Sequence, residues 1–305
     1  MNIIATILIT IIIAAAFTGA YFLSYSAHAT TNSSGQIRVV AAENFWGSLL
    51  SQLGGTHIQV FTIVTDPNAD PHEFESTIAN AEAVANANYV IVDGAGYDNW
   101  ALKLISANSI PDQKVLNIGD LLGQKAGVNP HFWYNPYYIP KILNQMYNTL
   151  VSLNQTDASY FTQQYASLNA SLGTYTQRIN EIKQQFAGTN VAATESIFVY
   201  LANATGLNLI SPPAFMEAVS EGNDPPAQSI VQFQQQLQSG TVKVLVYDQQ
   251  TVTPITQEME SIATKNNVPL VGITETILPP NALFQDWMNA ELTSLQSALN
   301  TKTSG

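Results

Sequence analysis

The stretch Asp157–Phe186, DASYFTQQYASLNASLGTYTQRINEIKQQF, contains no proline and no β-branched run. Its apolar positions are Tyr160, Phe161, Tyr165, Leu168, Leu172, Tyr175, Ile179 and Ile182, spaced mostly by three and four. That period predicts one long helix, capped by Thr156 or Asp157. Gly173 lies inside it at a cost of about 1 kcal/mol relative to alanine. On either side the pattern changes. Short β-rich runs alternate with helical segments, which predicts parallel sheets covered by helices.

In the first half the predicted strands are residues 37–41, 58–64, 89–92 and 114–118. Phe74, Ile78, Ala81 and Val84 carry a helical spacing between two of them. In the second half the strands are residues 191–194, 242–247 and 269–272, separated by helical segments 198–205, 229–238 and 255–266. Gly206 stands where a helix end favours a left-handed residue. The reading is therefore α/β, with two lobes, each a mainly parallel sheet covered by helices, joined by one long stiff helix. Residues 37–152 form the N-terminal lobe, 153–186 the linking helix and 187–305 the C-terminal lobe.

The 305 residues include 22 Asp and Glu against 10 Lys and Arg, for a net charge of −12. This balance excludes nucleic acid as a partner, since phosphates need a basic face. Cysteine is absent, which removes disulfides, thiolate metal sites, cysteine nucleophiles and a lipid-modified cysteine. Residues 3–23 form an uncharged apolar run; at ~1.5 Å per residue it is long enough to span a ~30 Å hydrocarbon core. Ala27-His28-Ala29 follows as a small-x-small site of the kind signal peptidases cut, yet no Lys or Arg precedes Arg38. Residues 1–29 thus read as a membrane anchor or signal peptide, with the uncleaved anchor favoured, and 30–36 as a polar tether. The rest of the chain is expected outside the cytoplasm. Sequons at Asn32, Asn154, Asn169 and Asn203 agree weakly, given the abundance of Asn, Ser and Thr.

Four histidines are present. His28 falls in the cleavage region, and His57, after Gly54-Gly55, reads as a surface-loop residue. His72 and His131 share a setting: Asp70-Pro71-His72-Glu73-Phe74 and Asn129-Pro130-His131-Phe132-Trp133. In each, an Asx-Pro pair stiffens the chain before the imidazole and an aromatic residue follows. Two pre-placed imidazoles suggest a metal site that needs one or two carboxylates more.

The two motifs resemble those of the periplasmic zinc- and manganese-binding proteins of ABC transporters (cluster A-I), and the similarity runs from about Arg38 to Leu299. Ala42-Glu43-Asn44-Phe45-Trp46 looks like that family's opening, and residues 93–100, DGAGYDNW, like its glycine-rich turn before an acid and a tryptophan. Asp224-Pro225-Pro226-Ala227 is similar to a segment preceding a late strand. The resemblance implies two α/β lobes, a long linking helix and a divalent cation, zinc or manganese, in the cleft. It implies His72 and His131 as ligands, Glu195 as the third from the loop Thr194–Tyr200, and Glu275 as the fourth from Thr274–Ile277. It also implies delivery of the metal to a membrane permease of an ABC transporter, by a monomer, with no catalytic residue and no organic cofactor. The histidine-rich loop common in zinc members is missing between the motifs, and Glu195 stands where zinc members often have histidine. Both features tilt the expectation toward manganese.

Two other functions fit less of the chain. A metallohydrolase needs an open coordination position and a general base, and no H-E-x-x-H is present. A surface adhesin or organic-solute binder would use aromatics such as Trp133, Tyr137, Tyr138 and Trp287, whose ordinary role is core packing.

Overall fold

Eight strands build two four-stranded, all-parallel sheets of the same topology among the residues described by the computed structural model, 35–67 and 71–301. The apolar run 3–23, the site 27–29, nearly all of the tether and Asp70 lie outside the described residues, and among the described residues no helix is long and apolar enough to cross a membrane.

The first sheet has the order β2-β1-β3-β4, from β1 (Ile37–Glu43), β2 (Ile58–Val64), β3 (Tyr89–Val92) and β4 (Lys114–Asn117). The second repeats it as β6-β5-β7-β8, from β5 (Asn190–Ala193), β6 (Asn208–Leu209), β7 (Leu245–Asp248) and β8 (Leu270–Ile273). Parallel neighbours need crossovers, and helices supply them in the first lobe: α1 (Asn44–Gly54), α2 (Ile78–Asn86) and α3 (Asn99–Asn108), with the short α4 (Ile118–Leu122) following β4. After α5 (Ile139–Leu153) comes the long helix α6 (Ala158–Phe186). The second lobe adds α7 (Val199–Thr205), α8 (Pro213–Ser220), α9 (Ala227–Gln238), α10 (Pro254–Lys265) and α11 (Phe284–Asn300).

The period of two along each strand explains why both sheet faces are covered. In β1, Val39 and Ala41 enter one core while Val40 and Ala42 enter another. Around β7, Val244 and Val246 face one side and Leu245 the other. The largest core is continuous across both lobes and takes in Phe161, Leu168, Leu172, Tyr175, Ile179 and Ile182 of α6. The long helix therefore contributes one apolar stripe to both lobes, which fixes them to a common spine. At ~1.5 Å per residue its 29 residues run about 43 Å.

The structure differs from the sequence reading at particular places. The helix containing Val84 starts at Ile78, because Thr77 caps it with a reciprocal Thr77–Asn80 box that leaves Phe74 outside. Asp157 precedes α6 but makes no capping bond. Its carboxylate is instead taken by Asn154 Nδ2 and His57 Nδ1, both at 2.7 Å. His57 is accordingly no free loop residue: it is half-buried and stacks on Tyr160 at 4.0 Å. The last two strands lie one to three residues later than expected, and β6 and α8 were not anticipated.

Candidate metal centre

The carboxyl ends of the strands in both sheets carry the acidic and imidazole side chains. This is where open parallel sheets place their ligands, since the loops there diverge on either side of the order reversal. His72 sits on a short 3₁₀ turn after β2, His131 on the connection after α4, and Glu195 and Glu275 each two residues past a strand, β5 and β8.

The local chain explains each placement. Trp100 Nε1 donates to Pro71 O at 3.0 Å and so pins the turn that bears His72. Tyr97 packs edge-on to the His72 ring at 4.4 Å and donates its hydroxyl to Glu275 Oε2 at 2.6 Å. The turn that presents Tyr97 needs glycine at 94, where φ is +78° and a Cβ would meet Asn117 Oδ1 at 2.0 Å. His131 is wholly buried against Trp133 at 5.2 Å, which itself stacks on Phe45 at 4.0 Å. The backbone around Glu275 is held by Gln250, whose Oε1 accepts from the N–H groups of Glu275 (2.6 Å) and Thr276 (2.9 Å).

The predicted residues converge. His72 Nε2 lies 3.7 Å from Glu275 Oε2, and His131 Nε2 lies 3.4 Å from Glu195 Oε1. Ligand atoms of His72, His131 and Glu275 fall within 4.8 Å of one another, as do those of Glu195, Asp248 and Glu275. Glu275 belongs to both groups and joins them into one cluster. Asp248, the last residue of β7, was missed by the sequence reading. Its signal was an acid closing the apolar strand LVYD beside β5 and β8, which reads equally well as a turn residue. The Asp248 carboxylate accepts from Gln250 N and Thr251 Oγ1, both at 2.9 Å.

Burial sets the electrostatics. His131, Glu195, Asp248 and Glu275 are at most 2% exposed, whereas the His72 side chain retains 22%. Burial, and then the neighbouring His72, pushes the pKa of His131 well below the ordinary imidazole value, so the ring is neutral. Its Nδ1 is 2.8 Å from Asn129 Oδ1, an acceptor, which assigns the single ring proton to Nδ1 and leaves the lone pair on Nε2. That buried Nε2 has no hydrogen-bond partner among the described residues and faces a carboxylate oxygen. Burial likewise raises Asp248, and it raises Tyr97 with further help from the charge of Glu275. A second set of buried acids, Glu43, Asp93 and Asp98, is pushed upward by burial too, but it is not among the groups whose ligand atoms meet within 4.8 Å. A cleft of about 860 Å³ reaches His72 between the lobes, lined by Gly96 and Asn129 on one side and by Ser196, Met216 and Glu217 on the other. Of the candidate aromatics, Trp133 and Trp287 are core residues and Tyr137 is exposed away from the cleft lining.

Comparison with known proteins adds the lineage. The family model described as ZnuA, zinc-uptake complex component A, periplasmic, matches residues 39–298. The manganese-binding lipoprotein MntA of Halalkalibacterium halodurans is 22% identical over 153 residues, 48% of this chain and 48% of that protein. The chain spans about half to three-fifths of the length of the curated relatives it matches. The fold is that of the periplasmic zinc-binding protein TroA from Treponema pallidum, with TM-score 0.73, 13% identity, and 86% of this chain and 99% of that chain covered. The laminin-binding adhesin Lmb from Streptococcus agalactiae superposes with TM-score 0.72 at 17% identity, over 87% of this chain and 100% of that chain. With the family model matching well over half of its 305 residues, the chain belongs to the family of the periplasmic zinc-uptake component A.

Proposed function

We propose that the protein captures one divalent cation, zinc or manganese, between its lobes and delivers it to the membrane permease of an ABC transporter. The ligands in this reading are His72, His131, Glu195 and Glu275, with Asp248 as a further carboxylate within reach. One observation carries it: the bare Nε2 of a neutral, buried His131 stands 3.4 Å from Glu195 Oε1. A neutral imidazole nitrogen and a buried carboxyl oxygen held this close from the two lobes offer a ready pair of ligand atoms to a divalent cation. Zinc and manganese are such cations, and both accept imidazole with carboxylate oxygen.

Two neutral imidazoles and up to three carboxylates make an oxygen-rich set that suits manganese, while the Irving–Williams order favours zinc in a test tube. Ligands come from both lobes, so metal contacts favour the closed cleft by whatever they gain there over the open one. The partly exposed His72 is the ligand an incoming ion meets first. The chain is a carrier and not an enzyme, as its membership of a family of metal-uptake components supports. It works outside the cytoplasm as a monomer, held to the membrane by residues 3–23.

Elemental analysis of protein purified without added metal tests this. One equivalent of zinc or manganese per chain is expected, lost on dialysis against chelator and lost in the His131→Ala variant. Protein that carries no divalent metal and takes none up on titration contradicts the reading.

A further inference from the structure

Asn129, two residues before His131, is bonded to both lobes at once. Its Oδ1 accepts from the His131 backbone N–H at 3.1 Å and from His131 Nδ1 at 2.8 Å. Its Nδ2 donates to Ser196 O at 2.6 Å, and its own carbonyl accepts the Tyr200 hydroxyl at 2.8 Å. The backbone donor identifies the oxygen end of the amide, and the Ser196 carbonyl identifies the nitrogen end, so the orientation is doubly determined. Ser196 directly follows Glu195, and Tyr200 lies one turn further on, in α7.

We propose that Asn129 is a positioning residue that couples the aim of His131 to the seating of the Glu195 loop, so that the imidazole is set for metal only when the lobes meet. The inference rests on the reading of His131 and Glu195 as metal ligands and goes one step past it. One end of the amide keeps the ring proton on Nδ1 and turns the Nε2 lone pair toward Glu195. The other end holds the backbone that carries Glu195. Separating the lobes breaks the bonds to Ser196 and Tyr200 together, and the Asn129 side chain is then free to rotate and release the imidazole. The amide does both jobs because it joins an acceptor and a donor on one planar group. A carboxylate in its place would still accept from His131 but would set an oxygen against the Ser196 carbonyl.

Three substitutions in the full chain separate the two bonds. Asn129→Asp keeps the acceptor for His131 and loses the donor to Ser196. Asn129→Ala loses both, and Tyr200→Phe loses only the other interlobe bond. The readouts are the ¹⁵N chemical shifts of the His131 ring in metal-free protein and the rate of zinc release to a chelator in stopped flow. The wild-type ring should be the Nδ1–H tautomer. Asn129→Asp should retain that tautomer yet release zinc about tenfold faster, the lower end of what loss of an outer-shell partner costs. Asn129→Ala should move the ring toward the Nε2–H tautomer and release faster still, and Tyr200→Phe should speed release with the tautomer unchanged. A wild-type ring in the Nε2–H form, or zinc release from Asn129→Asp at the wild-type rate, overturns the coupling while the metal site stands. A wild-type chain that holds no zinc overturns the reading of the site and the coupling together.

Discussion

His131 Nε2 and Glu195 Oε1 face each other at 3.4 Å from opposite lobes, and the ring's single proton is committed to Asn129 on the far side. A buried lone pair set against a carboxylate oxygen costs stability in the metal-free protein and repays it when a cation enters. Metal binding should accordingly raise the thermal midpoint, by an amount that grows with free metal. His72→Ala and His131→Ala should each weaken zinc binding by more than about 100-fold, beyond what an outer-shell loss costs. His57→Ala, whose ring is engaged with Asp157 and Tyr160, should leave zinc affinity unchanged. Calorimetric titration of the three variants checks the set, and unchanged affinity in both ligand variants would mean that the metal sits elsewhere.

Asp248 shares the site with Glu195 and Glu275, all three buried. Burial penalises a charge on Asp248 and pushes its carboxyl upward, against the hydrogen bonds it makes with Gln250, Thr251 and the side chains of Glu275 and Glu195. Asp248→Asn should therefore stabilise the metal-free protein, by about 2–4 °C for a gain near 1 kcal/mol in a chain of this size. The same variant should bind zinc about tenfold more weakly, a cost in the range of a partner adjoining the ligands. Scanning calorimetry with and without zinc reads both effects, and a variant less stable without metal would show that Asp248 is a structural acceptor only.

Glu291 of α11 contributes one part of how metal-free stability depends on pH. Burial pushes its carboxyl up to about 8, against the smaller opposing effect of its hydrogen bonds. The surroundings explain where the proton goes. Tyr134 Oη lies 2.6 Å from Glu291 Oε2 and 2.9 Å from Thr274 O, and its one proton can serve only one of these acceptors. A protonated Glu291 donates to Tyr134, which donates to Thr274 O, and every group is satisfied. With the folded pKa above the ordinary ~4.3 of glutamate, the stabilisation is full below that value. It falls between about pH 4 and pH 8 and is gone above. The slope is about 1.4 kcal/mol per pH unit. Glu291→Gln should remove this part of the slope in denaturant titrations of metal-free protein from pH 5 to pH 8. Parallel curves for variant and wild type would show that Glu291 is ionised throughout.

Glu195 sets the balance between metals. Replacing it by histidine removes a hard oxygen and supplies a third imidazole, which suits zinc better than manganese. Glu195→His should lower manganese affinity at least about tenfold more than zinc affinity, measured by competition against one chelator. An unchanged ratio would take Glu195 out of the coordination shell.

The long helix was legible because 29 residues without proline leave only one period that buries Phe161, Leu168, Leu172, Tyr175, Ile179 and Ile182 together. The longer strands were legible for the complementary reason, since β-rich runs bounded by turn residues bury on both faces. Two-residue β6 is too short to display any period, and α8 opens on Pro212-Pro213, which reads as a turn. His72 and His131 drew notice through their matched Asx-Pro settings, and the structure brings both beside Glu275. Asp248 has no such setting. Its place follows from β7 lying between β5 and β8, a fact of sheet order that only the folded chain displays.

X-ray absorption at the zinc edge, on full-length protein loaded with one equivalent of zinc, tests the central claim most directly. The account predicts a shell of nitrogen and oxygen only, at about 2.0–2.1 Å, with the outer-shell scattering of two imidazoles, reduced to one in His131→Ala. A zinc spectrum without imidazole scattering, or one that His131→Ala leaves unchanged, would contradict a metal held between the lobes by His72 and His131.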